Sequence, residues 1–266
     1  HTQSSAASDV YKRQTLGFSD FAGSTLVHST GGAAALAGAI LLGARTGRFD
    51  KSGAAKPMKP FAASSIPLVT VGVFILWLGW FGFNGGSQLA MGTFDDAVAV
   101  SNIFINTNLA ACGGVLAAAV MTRLLAGKTD VVQMLNGAIG GLVAITAEPL
   151  APAPIAAIFI GAIGGIIVVF GTKLLFNFKI DDVVGAVPAH LFAGIWGTLA
   201  VPLTNSDANF SAQLIGVLSI NAFVFVVAYI VWAIMKNTMG IRLSKEAELK
   251  GTDVTETGVI AYAIRD

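Results

Sequence analysis

The sequence predicts an all-α polytopic membrane protein, and three observations predict it. Hydrophobic residues make up 55% of the 266, and charged residues only 12%, about half the density of a soluble domain. Apolar stretches of about 20 residues, the length that crosses a bilayer as a helix, recur along the chain. The basic residues between them fall on one side only. Alternating ten-residue strands of an outer-membrane barrel do not occur, so the spans read as helices.

Seven stretches qualify, at about 23–44, 66–86, 98–125, 131–148, 153–175, 183–203 and 212–236. The links after the first, third and fifth carry Arg45, Arg48, Lys51, Lys56 and Lys59, then Arg123 and Lys128, then Lys173 and Lys179. The tail adds Lys236, Arg242, Lys245 and Lys250. The opposite links, QLAMGTFDDA, EPLAPA and TNSDANFS, contain no lysine or arginine. By the positive-inside rule the tail, 239–266, is cytoplasmic and Asp20 lies outside. The transmembrane domain is then 15–238. The 31 glycines suit close helix packing, the near-neutral net charge argues against nucleic acid, and the lone Cys112 excludes an internal disulfide.

A first span that starts outside needs an upstream span to reach that side, so further helices are expected to precede this chain. The polar leader 1–14, HTQSSAASDVYKRQ, lacks the basic-then-apolar order of a signal peptide. It reads as non-native or unstructured, SSAASDVYKRQ resembling a translated cloning or adapter remnant.

The chemistry lies in a motif written twice. Asp20, Gly23, His28 and Gly32 share the spacing D-x2-G-x4-H-x3-G with Asp182, Gly185, His190 and Gly194. The first copy enters the membrane from outside and the second from inside, the trace of an inverted repeat whose site lies at the repeat interface. Eight helical residues rise about 12 Å, which puts both histidines near mid-membrane. The aspartates then lie near the surfaces, hydrated or bonded to amides at a helix start. The glycines three and four residues past His28, and four past His190, admit a neighbouring backbone. Ionisable residues inside a membrane are costly and mark function; the plainer alternative is a polar side chain bonded to a neighbouring helix. GWFGFNGGS (79–87) places rings and a hydroxyl at the outer end of its span. There they suit either a cation or an interfacial aromatic belt.

These residues resemble the ammonium transporter (Amt/MEP/Rh) family. DFAGSTLVHSTGGAAALAGAILLGAR is similar to its fifth helix, GWFGFNGGS to its sixth, DDVVGAVPAHLFAGIWG to its tenth and ELKGTDVTETG to its cytoplasmic end segment. The resemblance runs from about residue 15 to 262. It implies the ammonium-transporter fold, with an inverted repeat, cut here to helices five to eleven of eleven. It assigns the paired pore histidines to His28 and His190, a gating phenylalanine to Phe83, and a pore-lining tryptophan to Trp80. The serine that receives the cation falls on Ser87, the structural aspartate on Asp20, and Asp182 is its repeat mate. The second gating phenylalanine and an outer tryptophan would lie upstream. Thr257 stands where a relative carries His, so any contact made there is in doubt.

Ammonium or ammonia transport follows as the expected function, with a homotrimer in the plasma membrane and a trimeric PII-type regulator docking on the tail. No cofactor and no metal are implied, and no nucleophile–base pair supports an enzyme. Two other readings stay open: an ammonium sensor that signals through its tail, and an electron carrier with His28 and His190 as axial haem ligands.

Overall fold

The computed structural model describes residues 17–49 and 61–261. The leader 1–14, the basic residues Lys51, Lys56 and Lys59, and the end of the tail lie outside the described residues. Every regular element among those described is helical: α1 (Ser24–Leu42), α2 (Ile66–Gly86), α3 (Phe94–Ala126), α4 (Val131–Ile145), α5 (Pro154–Asn177), α6 (Val187–Leu203), α7 (Phe210–Thr238), and in the tail α8 (Lys245–Lys250) and α9 (Asp253–Thr257). Five of them, α1, α2, α3, α5 and α7, are long and apolar enough to cross a membrane.

The boundaries follow from local chemistry. α3 starts earlier than its apolar stretch because Thr93 and Asp96 form a capping box, each side chain accepting the other's backbone N–H. α4 stops at Ile145, short of the expected 148. Beyond it the Thr146 and Ala147 carbonyls accept the Ala22 and Phe21 amides, at 3.0 and 2.8 Å, instead of continuing the helix. α1 and α6 each open on a π-helical turn, Ser24–Ser29 and Val187–Phe192, with His28 inside one and His190 inside the other. Such turns concentrate at functional sites.

The centre is a three-helix packing of α3, α4 and α5. Small residues set its spacing. A Cβ on Gly161 would run into the carbonyl of Ala110, and one on Gly165 into that of Gly114. In a membrane, where lipid is as apolar as leucine, such close backbone approach drives helices together. Leu142, Val143, Val168 and Trp80 fill the adjoining core. Large apolar side chains are exposed on α2 (Leu68, Phe74, Leu78) and α7 (Leu218, Phe223, Ile230).

α1 and α6 run antiparallel. At one end the Thr25 and Thr198 hydroxyls bond at 2.7 Å. At the other, Arg45 reaches Asp181 through Nε at 2.7 Å and Nη2 at 2.9 Å. α7 holds α1 at both ends. Gln213, fully buried, donates to the Ser19 carbonyl at 2.6 Å and accepts from the Ser19 amide at 2.7 Å. Lys236 donates to the Leu41 carbonyl at 2.7 Å, and Arg242 from the tail to that of Leu42 at 3.0 Å. These carbonyls are the unpaired acceptors and negative dipole end of α1. The tail closes the clamp: Glu248 accepts from the Thr46 amide at 2.7 Å and from Arg242 Nη2 at 2.8 Å.

We expect acid to weaken that clamp and the Arg45–Asp181 pair beside it. The Arg242 hydrogen bond, joined by those of Thr46, holds the Glu248 carboxyl below its ordinary value. Burial pulls Asp181 upward, yet the bonds and charges of Arg45 and Arg48 outweigh it and the net shift is down. A depressed carboxylate stabilises above its unfolded pKa, about 4, and that contribution fades as pH falls through the folded value. We therefore expect the Thr46 amide to lose protection, after correction for intrinsic exchange, on going from about pH 6 to below pH 4. Hydrogen–deuterium exchange reads this directly, and an Arg242→Ala variant should lose much of the protection already at the higher pH.

Candidate functional site

The twin motif builds a matched pair of helix starts. Asp20 Oδ1 accepts the Ser24 amide at 2.7 Å, and Oδ2 those of Thr25 and Leu26 at 3.0 and 2.8 Å. Asp182 does the same for Gly185, Ala186 and Val187, at 3.0, 3.1 and 2.7 Å. Each carboxylate caps the unpaired N–H groups and meets the positive end of its helix. The glycine in each motif makes the turn: Gly23 has φ 108° and Gly185 φ 78°, values an L side chain rarely adopts. The first residues of each motif are thus a capping loop, not the start of an eight-residue helical rise. Asp20, 2% exposed, is bonded to amides rather than hydrated.

The motif's last glycine sets the crossing of the two helices. A Cβ on Gly32 would meet Leu191, the residue after His190, with its Cβ at 2.7 Å and Cα at 2.8 Å. A Cβ on Gly194 would meet Ser29, the residue after His28, at 3.1 Å. The seats are reciprocal. A Cβ on Gly31, by contrast, would meet nothing within 4 Å, so only the second of the two adjacent glycines is closed to a side chain.

This crossing brings the histidines together. His28 Nδ1 and His190 Nδ1 lie 3.3 Å apart, with ring centroids at 5.3 Å and planes inclined by 25°. Two imidazole nitrogens at this distance bond only if one bears a hydrogen and the other does not. His28 Nε2 is buried without a protein partner. Both rings border a cavity of about 230 Å³ whose other walls are Val27, Gly31, Gly32, Ala35 and Ala186. That holds several molecules of water's size, at about 30 Å³ each. The haem reading fails on this geometry, because rings stacked against each other leave no space for a macrocycle between them.

Trp80 lies almost parallel to His28, centroids 4.8 Å apart and planes at 17°. Phe83 is tilted over the same imidazole at 5.3 Å and is 38% exposed. Trp80 is only 6% exposed, so it is no interfacial belt residue. Ser87 caps the end of α2, one turn beyond Phe83, and donates to the Phe83 carbonyl at 2.8 Å. Thr257 donates to the Asp253 carbonyl within its own turn, a local bond that makes no contact with the site. Among the described residues no cluster of three or more His, Cys, Asp or Glu could hold a metal ion.

The structure adds residues that the sequence reading passed over. Thr146 Oγ1 accepts the Trp80 indole N–H at 2.9 Å. Asn84 Nδ2 donates to Thr107 Oγ1 at 2.9 Å, and its carbonyl oxygen lies 3.2 Å from the Thr146 hydroxyl. Ser29 donates to Asn221 at 2.6 Å. The signal was a polar residue inside an apolar stretch. Thr and Asn are common enough there, bonded to their own helix, that nothing set these apart.

The Ammonium Transporter Family matches residues 9–262. A putative ammonium transporter of Synechocystis sp. is 41% identical over 91% of this chain and 55% of its own length. Ammonium transporter Amt2 of Archaeoglobus fulgidus is 38% identical over the same shares. The chain therefore spans about half the length of the curated relatives it matches. Among solved structures, one titled Sensor Amt Protein superposes with a TM-score of 0.85 at 31% identity, over 92% of this chain and 62% of that one. A Candida albicans Mep2 variant superposes at 0.78 and 29% identity, over 91% and 56%. By sequence and by fold, this integral membrane chain belongs to the ammonium transporter family.

Proposed function

We propose that the chain forms the conducting half of a channel-like ammonium transporter. The observation that carries this reading is the pair His28–His190, nitrogen to nitrogen at 3.3 Å beside a small, otherwise apolar cavity. Ammonium is recruited at the outer mouth, where Ser87 offers a hydroxyl oxygen and Trp80 and Phe83 offer ring faces worth about 0.5–2 kcal/mol to a cation. Carrying the bare ion further through hydrocarbon is prohibitive. The cation instead gives a proton to an imidazole nitrogen and moves on as ammonia. With His28 as the Nδ1–H tautomer, its Nε2 accepts that proton. The Nδ1 hydrogen shifts to His190, and His190 releases its Nε2 hydrogen on the far side. Ammonia and proton recombine there, so net charge crosses; each imidazole is left in its other tautomer, and both must return to their starting tautomers before the next passage. Potassium has no proton to surrender and is refused.

In this reading Asp20 and Asp182 support the pair by holding the starts of their helices. The tail is cytoplasmic, the membrane is the plasma membrane, and the assembly is a homotrimer whose tail docks a PII-type regulator. The family relationship supports these assignments.

Replacing both His28 and His190 with Ala in the full-length protein should abolish ammonium-evoked current in reconstituted vesicles. An undiminished, ammonium-selective current in that double variant would sink the mechanism. The likeness to a structure titled Sensor Amt Protein favours a second reading, in which the same pore binds ammonium and the tail signals. Ammonium binding with no net flux in those vesicles would select it.

A further inference from the structure

Trp80 is stacked on His28 but does not hold itself there. Its indole N–H is a buried donor, and a buried Trp N–H needs a partner. That partner is Thr146 Oγ1, at 2.9 Å. Thr146 sits just past the end of α4 and is fully buried. Its own hydroxyl hydrogen has two acceptors in reach, the Leu142 carbonyl at 2.7 Å and Asn84 Oδ1 at 3.2 Å. Asn84 lies one turn after Trp80 on the same face of α2. Asn84 Nδ2 is bonded in turn to Thr107 on α3, and both residues are fully buried. α2 and α4 thus meet at one hydroxyl, and α3 joins them through Asn84.

The backbone of Thr146 serves the other ring. Its carbonyl accepts the Ala22 amide at 3.0 Å, inside the capping loop from which α1 and His28 spring. One residue fixes the tryptophan through its side chain and the loop before the histidine helix through its main chain. We infer that Thr146 is a positioning residue for conduction: it sets the Trp80 indole flat against His28, with Asn84 and Thr107 bracing it from behind.

A threonine that merely bonds back to the carbonyl four residues earlier is a common helical feature. The indole N–H is what distinguishes this one. Deprived of its acceptor, the indole is a buried unpaired donor and turns to find another partner. The stack at 4.8 Å and 17° is lost, and with it the wall that faces the first imidazole.

The inference rests on the transport reading, so its test has one arm that does not. Full-length protein in vesicles is compared as wild type, Thr146→Val, Thr146→Ser and Trp80→Phe, with Trp80→Phe also combined with Thr146→Val and with Thr146→Ser. Valine keeps the shape and removes the acceptor; serine keeps the acceptor. Thr146→Val should lower ammonium flux about tenfold or more, as expected for an orphaned buried donor, while Thr146→Ser stays within about twofold. Because Thr146 acts through Trp80, adding Thr146→Val to Trp80→Phe should change nothing further. The independent arm is Trp80 fluorescence, taken as the difference between each protein and its Trp80→Phe counterpart. It should shift with valine and not with serine.

Flux unchanged by Thr146→Val, or an equal loss with and without Trp80, overturns the inference. A wild type that carries no ammonium overturns the transport reading instead, and the emission difference still decides whether Thr146 positions Trp80. If the valine variant does not assemble, Thr146→Cys, similar in size and a weak acceptor, is read against the same criteria.

Discussion

Gly32→Ala in the full-length protein should sharply lower its thermal unfolding midpoint in detergent and stop ammonium flux, although only one methyl group is added. The new Cβ has nowhere to go. It would lie 2.7 Å from the Leu191 Cβ and 2.8 Å from the Leu191 Cα, and a backbone cannot swing aside as a flexible side chain can. Overpacking of this kind costs about 1–3 kcal/mol even where side chains relax. Here relief requires α1 and α6 to separate, which pulls the histidines out of their 3.3 Å contact. The reciprocal seat predicts the same outcome for Gly194→Ala, where the obstacles are Ser29 and the Ser24 carbonyl. Normal stability and flux in both variants would show that the crossing tolerates slack.

Asp20→Asn is nearly isosteric and should nevertheless be among the most damaging single changes to the fold. The carboxylate accepts three backbone amides through two oxygens. An asparagine presents an NH2 group in place of one oxygen, so at least one amide then faces a donor. Hydrogen bonds to a charged acceptor are worth about 1.5–3 kcal/mol each, and an unsatisfied buried donor costs about 1–3 kcal/mol more. A loss of about 3 kcal/mol or more follows, together with the favourable charge at the helix start. Thermal unfolding of the purified variant measures it. A midpoint within a degree or two of wild type would mean that the cap carries little of the load. The repeat offers an internal comparison: Asp182→Asn disturbs the matching cap on α6.

Much of this was legible from the chain. Apolar runs announce helices in lipid because each backbone amide must be satisfied within its own segment. The repeated spacing of Asp, Gly, His and Gly announced two matched entries into the membrane. What spacing could not say is how each motif is used. The reading expected a continuous helix from Asp20 to His28. The structure instead has a capping loop, a left-handed glycine and a π turn. Carboxylate caps and positive-φ glycines leave no periodicity to read. Gly31 and Gly32 are equivalent in composition, and only the crossing angle decides that one of them meets Leu191. Thr146, Asn84 and Gln213 were illegible for a different reason. Their partners, Trp80, Thr107 and Ser19, are supplied by other helices, and no local pattern ties them together.

The two ends of α1 also set an order of assembly. The loop before it is gripped by Gln213, 194 residues later in the chain, and its last carbonyls by Lys236 and Arg242, 195 and 200 residues later. A nascent chain inserted as far as α6 already contains both histidines, yet α1 still has open backbone acceptors at one end and an unanchored loop at the other. Among the described helices, the one that contributes His28 comes first in chain order and is fastened by the last membrane-length one and the tail. α7 and the tail behind it act as a latch on α1, and a chain that stops short of Phe210 leaves that helix without its fastening.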